Sequence, residues 1–190
     1  VQDILLTRQD ELGSIVWQTS VDLGAKDQIG AMELIPVGPL AGELILVGET
    51  DYLSSASAFL CRLDPNASGG PVVVETFIDP FPGGGGSTTE GRYLDLTIRE
   101  EGGALRIACA GWMGASGPGA PRSAVVSEFE IGATGFVRLW SRKLDTNPQV
   151  DDHDMASTIV HIPGDGYLIG GTLNGTTGFT LPCGAVHRLN

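Results

Sequence analysis

The densest run of side chains able to do chemistry is Asp151-Asp152-His153-Asp154. Carboxylates at this spacing in a loop can supply the oxygen ligands that Ca²⁺ prefers, so Asp151, Asp152 and Asp154 are the candidate metal ligands. The alternative is a turn in which the Asp side chains accept hydrogen bonds from local backbone amides. A similar acidic stretch, Asp22 to Asp27, favours that structural role. The glycine-containing pattern of an EF-hand loop is absent.

The other reactive residue types form no recognisable catalytic set. The three histidines, His153, His161 and His187, are scattered along the chain, so only the fold could bring them together. The sequence has no nucleophile elbow, P-loop or zinc-protease motif, and no dinucleotide fingerprint after a strand. We therefore predict a protein that is not an enzyme, with no catalytic residue and no cofactor besides Ca²⁺.

A second candidate site is the glycine- and proline-rich stretch from Gly111 to Pro121, which contains Trp112 and Met113. An aromatic and a thioether side chain in a loop can form an exposed contact surface, which makes these two the candidate binding residues. The alternative is a lid buried over the sheet. The three cysteines include no CxxC pair, and Cys61 and Cys109 are expected to be buried in strands.

Composition limits both the fold and the partners. The 190 residues include 28 Gly and 11 Pro, which favours short strands joined by turns over helices. The net charge of −12 repels nucleic acid and anionic membranes, so neither is an expected partner. No apolar run approaches the roughly 20 residues of a membrane helix, which argues against membrane insertion.

The sequence repeats itself with a period of about 61 residues. Leu44 to Thr50 is echoed by Leu105 to Gly111 and by Tyr167 to Leu173, and Ala58 to Asp64 is echoed by Ala124 to Glu130 and by Ala185 to Asn190. Trp17 and Trp140 lie about two periods apart, and the intervening counterpart falls near Val74 to Phe77. A mid-unit strand candidate completes each repeat, so each unit has four strands.

Four antiparallel strands per unit predict an all-β, propeller-type repeat fold with three four-stranded blades. The expected boundaries within a single repeat domain, 1–190, are 14–69, 70–135 and 136–190. Residues 1–13 then form one extra N-terminal strand, an orphan outer strand of a further blade. Three blades are too few to close a ring. We therefore expect either part of a longer propeller or copies that associate edge to edge.

The third unit has a Trp strand at Leu139-Trp140, an Asp-Asp loop at Asp151-Asp152, the strand DGYLIGGT from Asp165 and the strand VHRLN from Val186. In this order the units resemble the repeats of secreted bacterial β-propellers. The second unit has Gly83 to Thr89 in place of the acidic loop. The resemblance implies a β-propeller fold and an extracellular or cell-surface location.

These observations favour a non-catalytic extracellular structural or interaction scaffold. The expected partners are a protein or glycan at the cell surface, or copies of the chain itself. One alternative is a subunit of an extracellular fibre or surface assembly that is joined by pairing of strand edges. A second is a fragment of a propeller enzyme, quinoprotein-like or a lyase, whose active site lies in blades beyond this chain.

Overall fold

A computed structural model of the chain describes residues 2–24, 26–51, 56–79, 89–115, 121–132, 135–144 and 154–173, and the backbone of 183–189. The fold is all-β, as predicted, and the described residues contain no helix. The thirteen strands are β1 (Ile4–Gln9), β2 (Ile15–Val21), β3 (Asp27–Leu34), β4 (Leu44–Thr50), β5 (Ser57–Asp64), β6 (Val72–Asp79), β7 (Thr89–Glu101), β8 (Ala104–Ala115), β9 (Arg122–Gly132), β10 (Gly135–Lys143), β11 (Met155–Ile162), β12 (Gly166–Leu173) and β13 (Cys183–Leu189).

The strands form four antiparallel sheets in which neighbours in sequence are neighbours in space. β1 and β2 pair as a two-stranded ribbon, β3 to β6 form sheet 1, β7 to β10 form sheet 2, and β11 to β13 form sheet 3. Each sheet is open, and no sheet among the described strands closes on itself. Each connection within a sheet therefore joins two antiparallel neighbours.

The predicted grouping of strands is shifted by one strand. The Trp strand of each unit was expected to share a blade with the strands that follow it, but β2 pairs with β1, β6 with β5 and β10 with β9. Turn chemistry explains this pairing for β1 and β2, because the Asp10 carboxylate accepts hydrogen bonds from the Leu12 and Ser14 amides in a tight turn. The expected boundaries therefore cut across the sheets, and the predicted N-terminal orphan strand has a partner.

Consecutive sheets stack face to face and enclose three apolar cores. One core lies between the ribbon and sheet 1, a second between sheets 1 and 2, and a third between sheets 2 and 3. In β4, Ile45 and Val47 face sheet 2 whereas Leu46 faces the ribbon. Because side chains alternate along a strand, a strand buried on both faces must be apolar throughout, as the Leu-Ile-Leu-Val run is.

One structural detail recurs in all three sheets. The first strand of each sheet has a β-bulge, and the residue that pairs just before it on the second strand is glycine. The bulged residues are Gly30, Leu94 and Ser157, and the facing glycines are Gly48, Gly111 and Gly171. A Cβ at any of these three glycines would lie 1.9–2.1 Å from a carbonyl oxygen of the bulged strand, so only glycine fits there.

A second recurring detail joins each sheet to the one before it. Backbone amides donate across the three junctions at 2.7–2.9 Å, from Asp27 to the Gln2 carbonyl, from Gly91 to that of Ala56, and from Asp154 to that of Arg122. The donor lies three residues before the bulge in every case. The sequence repeat therefore corresponds to a repeated structural unit.

Candidate functional site

The junction between the ribbon and sheet 1 gathers three carboxylates. Asp3 precedes β1, Asp22 follows β2, and the antiparallel pair Ile4 and Val21 brings these two ends together. Asp27 begins β3 and is only 2% exposed. Oxygens of Asp3, Asp22 and Asp27 lie within 4.8 Å of one another. Three like charges at this separation repel one another unless a cation lies among them.

The hydrogen bonds of Asp27 leave one of its oxygens unused. Asp27 Oδ2 accepts from the Leu23 amide at 2.7 Å, whereas Oδ1 is buried and has no hydrogen-bond partner among the described residues. Asp22 Oδ1 accepts from the Gly24 amide at 3.1 Å. None of the ion pairs between described residues involves these carboxylates. A buried carboxylate oxygen without a partner costs free energy unless a ligand satisfies it.

Of the predicted metal ligands, Asp154 lies at the equivalent junction between sheets 2 and 3. Asp151 and Asp152 lie outside the described residues. Asp154 is 2% exposed and occupies the position in its unit that Asp27 occupies in the first. Sequence reasoning considered Asp22 and Asp27 only as a structural loop and missed Asp3, because strand pairing rather than sequence proximity brings Asp3 to them.

An apolar groove of about 610 Å³ opens between the ribbon and sheet 1. Leu5, Met32 and Leu34 line it and are 53–63% exposed. Trp17 and Arg8 complete the ribbon side, where Arg8 donates to the Asn66 side chain at 3.2 Å. A groove of this size and polarity can hold an apolar side chain or ligand.

A polar cleft of about 370 Å³ lies between sheets 2 and 3, with Arg99 and His161 in its lining. Arg99 donates to the Tyr167 hydroxyl at 2.9 Å and to Glu128 at 3.1 Å, and the Tyr167 hydroxyl donates to Glu128 at 3.0 Å. Burial and the Glu128 charge raise the pKa of Tyr167, so the phenol keeps its proton. These groups use their hydrogen bonds to join the two sheets.

A second charged network joins sheets 1 and 2. Asp79 of β6 is 1% exposed and accepts from the Tyr93 hydroxyl at 2.6 Å, and Arg138 pairs with its other oxygen. Burial raises the pKa of Tyr93 well above its usual value. Because a buried charge is tolerated only when it is paired, this network fixes how the two sheets face each other.

Trp112 and Met113 are not in a loop. Both lie in β8, at 6% and 4% exposure, and the Arg122 guanidinium lies 3.9 Å from the centroid of the Trp112 ring. The expectation of an exposed contact surface at these residues is therefore wrong, because β8 continues past Gly111 to Ala115. Cys61 and Cys109 are buried free thiols, as predicted.

The outer strands expose apolar side chains along their unpaired edges. β2, β6 and β10 are each the last strand of their sheet, and on the far side no strand pairs with them within the described part of the chain. The exposed residues, 40–61% accessible, are Ile15 and Val16 on β2, Val72, Val73 and Val74 on β6, and Val137 and Leu139 on β10. Backbone groups and apolar side chains at an edge can receive another strand.

No protein-family model matches the chain, and no curated protein matches its sequence. In the part of the chain that the structure describes, no helix is long and apolar enough to span a membrane.

Proposed function

We propose that the protein is a non-catalytic extracellular or cell-surface scaffold built from propeller blades, which binds protein or glycan partners through the edges of its sheets. The observation that carries the proposal is the repeated apolar outer edge on β2, β6 and β10. Soluble proteins usually protect edge strands with charge or proline. Three exposed edges at equivalent places are instead typical of a surface that is covered by a partner.

The propeller arrangement is the finer part of the proposal. Consecutive blades of a propeller stack in sequence order, as these sheets do. A backbone hydrogen bond also crosses each of the three junctions. The charged networks at Asp79 and Glu128 also suit a scaffold, because their hydrogen bonds join neighbouring sheets.

Self-assembly is the second candidate, and sheet 3 favours it. β5 and β9 each pair with a fourth, outer strand, whereas β13 has no such partner among the described strands. The free edge of β6 in another copy could pair with β13 there, which would produce a closed oligomer or a fibre.

Light scattering of the purified chain over a range of concentrations tests self-assembly. Self-assembly predicts a molar mass above the 19.8 kDa of one chain, and a lower mass when Val73→Lys places a charge on the exposed edge of β6. Leu12→Lys is the matched control, because Leu12 is 92% exposed in the β1–β2 turn, away from that edge. A chain that stays monomeric excludes self-assembly at this edge.

The scaffold proposal is then tested on cell-surface proteins and glycans immobilised as panels. We expect Val16→Lys and Leu139→Lys to weaken any binding that the wild type shows, and Leu12→Lys to leave it unchanged. Equal binding by all three variants would show that the edges are not the binding surface. Substrate turnover by the chain, lost when Arg99 or His161 is replaced, would instead contradict the proposal that the protein is non-catalytic.

A further inference from the structure

The geometry points to a Ca²⁺ site formed by Asp3, Asp22 and Asp27 at the junction between the ribbon and sheet 1. The inference does not rest on the proposed function. It follows from the separation of the three carboxylates, the unsatisfied oxygen of Asp27, and the position of the three residues in the fold.

The separation fits the size of the ion. Ca²⁺ binds oxygen ligands at about 2.4 Å, so two ligands of the same ion are at most about 4.8 Å apart. The oxygens of Asp3, Asp22 and Asp27 all lie within 4.8 Å of one another. Asp3 and Asp22 are exposed, so water can supply the further ligands that Ca²⁺ needs.

Asp27 supplies the independent evidence that a ligand belongs there. Asp27 is only 2% exposed, and its Oδ1 has no hydrogen-bond partner among the described residues. The Leu23 amide satisfies only Oδ2 and holds the carboxylate in the cluster. A cation bound between Asp27, Asp3 and Asp22 would satisfy this oxygen and also remove the repulsion between three negative charges.

The position of the site gives the ion a structural role. Asp3 and Asp22 flank the two strands of the ribbon, whereas Asp27 belongs to sheet 1. Bound Ca²⁺ therefore holds the ribbon against sheet 1, beside the hydrogen bond that the Asp27 amide donates to the Gln2 carbonyl.

Calorimetric titration of the full chain with Ca²⁺, after removal of metal by a chelator, tests the site. We expect saturable binding with a Kd on the order of 10⁻⁴–10⁻³ M, the range of extracellular calcium modules. The double variant Asp3→Asn with Asp22→Asn should raise the Kd at least about tenfold, because it removes two of the three charged ligands. The matched control is Glu11→Gln with Glu100→Gln, which removes two exposed acids elsewhere and should leave the Kd unchanged.

The melting temperature of Asp27→Asn separates a metal ligand from a merely structural residue. Asn can still accept from the Leu23 amide, and it removes the unsatisfied charge. Without Ca²⁺ the variant should melt at or above the temperature of the wild type. With saturating Ca²⁺ the order should reverse, because only the wild type gains stability from the ion.

Three results would overturn the inference. The first is that no saturable binding of Ca²⁺ occurs up to roughly 10 mM, well beyond the affinities of known modules. The second is an unchanged Kd in the Asp3 and Asp22 variant. The third is an Asp27→Asn variant that is less stable than the wild type to the same extent with and without Ca²⁺. The variant Asp151→Asn with Asp152→Asn tests the third unit separately. If that variant alone abolished binding, the ion would belong to the third unit and not to this junction.

Discussion

Two adjacent glycines of β12 offer a sharp test of the bulge that recurs in each sheet. A Cβ on Gly171 would lie 2.1 Å from the Met155 carbonyl oxygen and 3.1 Å from the Ala156 Cα, both backbone atoms. A Cβ on Gly170 would meet only the Thr158 methyl group, at 2.8 Å. Alanine at Gly171 must therefore displace a backbone, whereas alanine at Gly170 needs only a small side-chain shift.

The size of the difference follows from these distances. Real Cβ atoms almost never approach another atom closer than 3.0 Å, so Gly171→Ala must move β11 and β12 apart by almost an ångström. Such overpacking costs about 1–3 kcal/mol, and weakening two ladder hydrogen bonds beside the bulge adds about 1 kcal/mol each. The loss of glycine flexibility returns about 0.5–1 kcal/mol. We expect Gly171→Ala to lower the free energy of unfolding by about 3 kcal/mol, against less than about 1 kcal/mol for Gly170→Ala.

Thermal unfolding followed by circular dichroism measures this difference. For a chain of this size, about 3 kcal/mol corresponds to a fall in Tm of roughly 6–12 °C. Gly170→Ala is the matched control, because it makes the same chemical change one residue away in the same strand. Equal melting temperatures for the two variants would refute the close approach of β11 and β12 at the bulge.

Two further predictions concern the buried polar groups. Tyr93→Phe removes a hydrogen bond to the buried Asp79 carboxylate, so urea denaturation should show a loss of about 2 kcal/mol; unchanged stability would contradict the role of this bond. Burial raises the pKa of Cys61 from 9.0 to about 11, so the folded state holds the thiol proton more tightly than the unfolded state does. Its contribution to stability is therefore full below pH 9 and is lost as the pH rises through about 11, and the urea midpoint should fall between about pH 8 and about pH 10.5. The fall should be smaller in Cys61→Ala, and an equal fall in both proteins would show that another group is responsible.

The strands could be predicted from the sequence because each is marked by its own residues. The apolar run from Leu44 and the echo of Ala58 at Ala124 both correspond to strands that pair as the repeat requires. The sequence alignment of β4 with β8 was less accurate. Gly48 was matched to Cys109, but Gly111 is the glycine that lies at the equivalent position beside the bulge. Beyond the bulge, β3 and β4 form four residue pairs whereas β7 and β8 form seven, so matching the starts of the apolar runs misaligned the two glycines.

Which strands share a sheet was harder to predict than the strands themselves. A repeat fixes the order of the elements but does not show where one unit ends in space, since a cyclic shift of the unit gives the same period. The Asp10 turn carried the missing information, because a carboxylate that caps a tight turn joins the strands on either side of it. Asp64 begins the β5–β6 turn in the same way, with its side chain accepting from the Asn66 amide.

The candidate sites show a similar division between local and long-range information. A run of acids such as Asp151 to Asp154 is visible in the sequence, whereas the cluster at Asp3 exists only after β1 and β2 pair. Trp112 and Met113 were misplaced for the opposite reason, since nearby glycines and prolines suggested a loop. Gly111 and Gly114 are instead strand residues, and a Cβ at either would lie within 2.3 Å of a carbonyl oxygen.

The shift of one strand also bears on how the sheets hold together. The outer strand of each sheet is followed in the chain by the first strand of the next, so the connection after β2, β6 and β10 crosses from one sheet to its neighbour. Every junction is therefore secured by the covalent chain, by an apolar core and by a backbone hydrogen bond at the start of the next sheet. For one sheet to slide over another, this hydrogen bond would have to break and the core would have to become exposed at the same time. The proposed scaffold would need this resistance, because an edge binds a partner tightly only if its neighbours hold it in place.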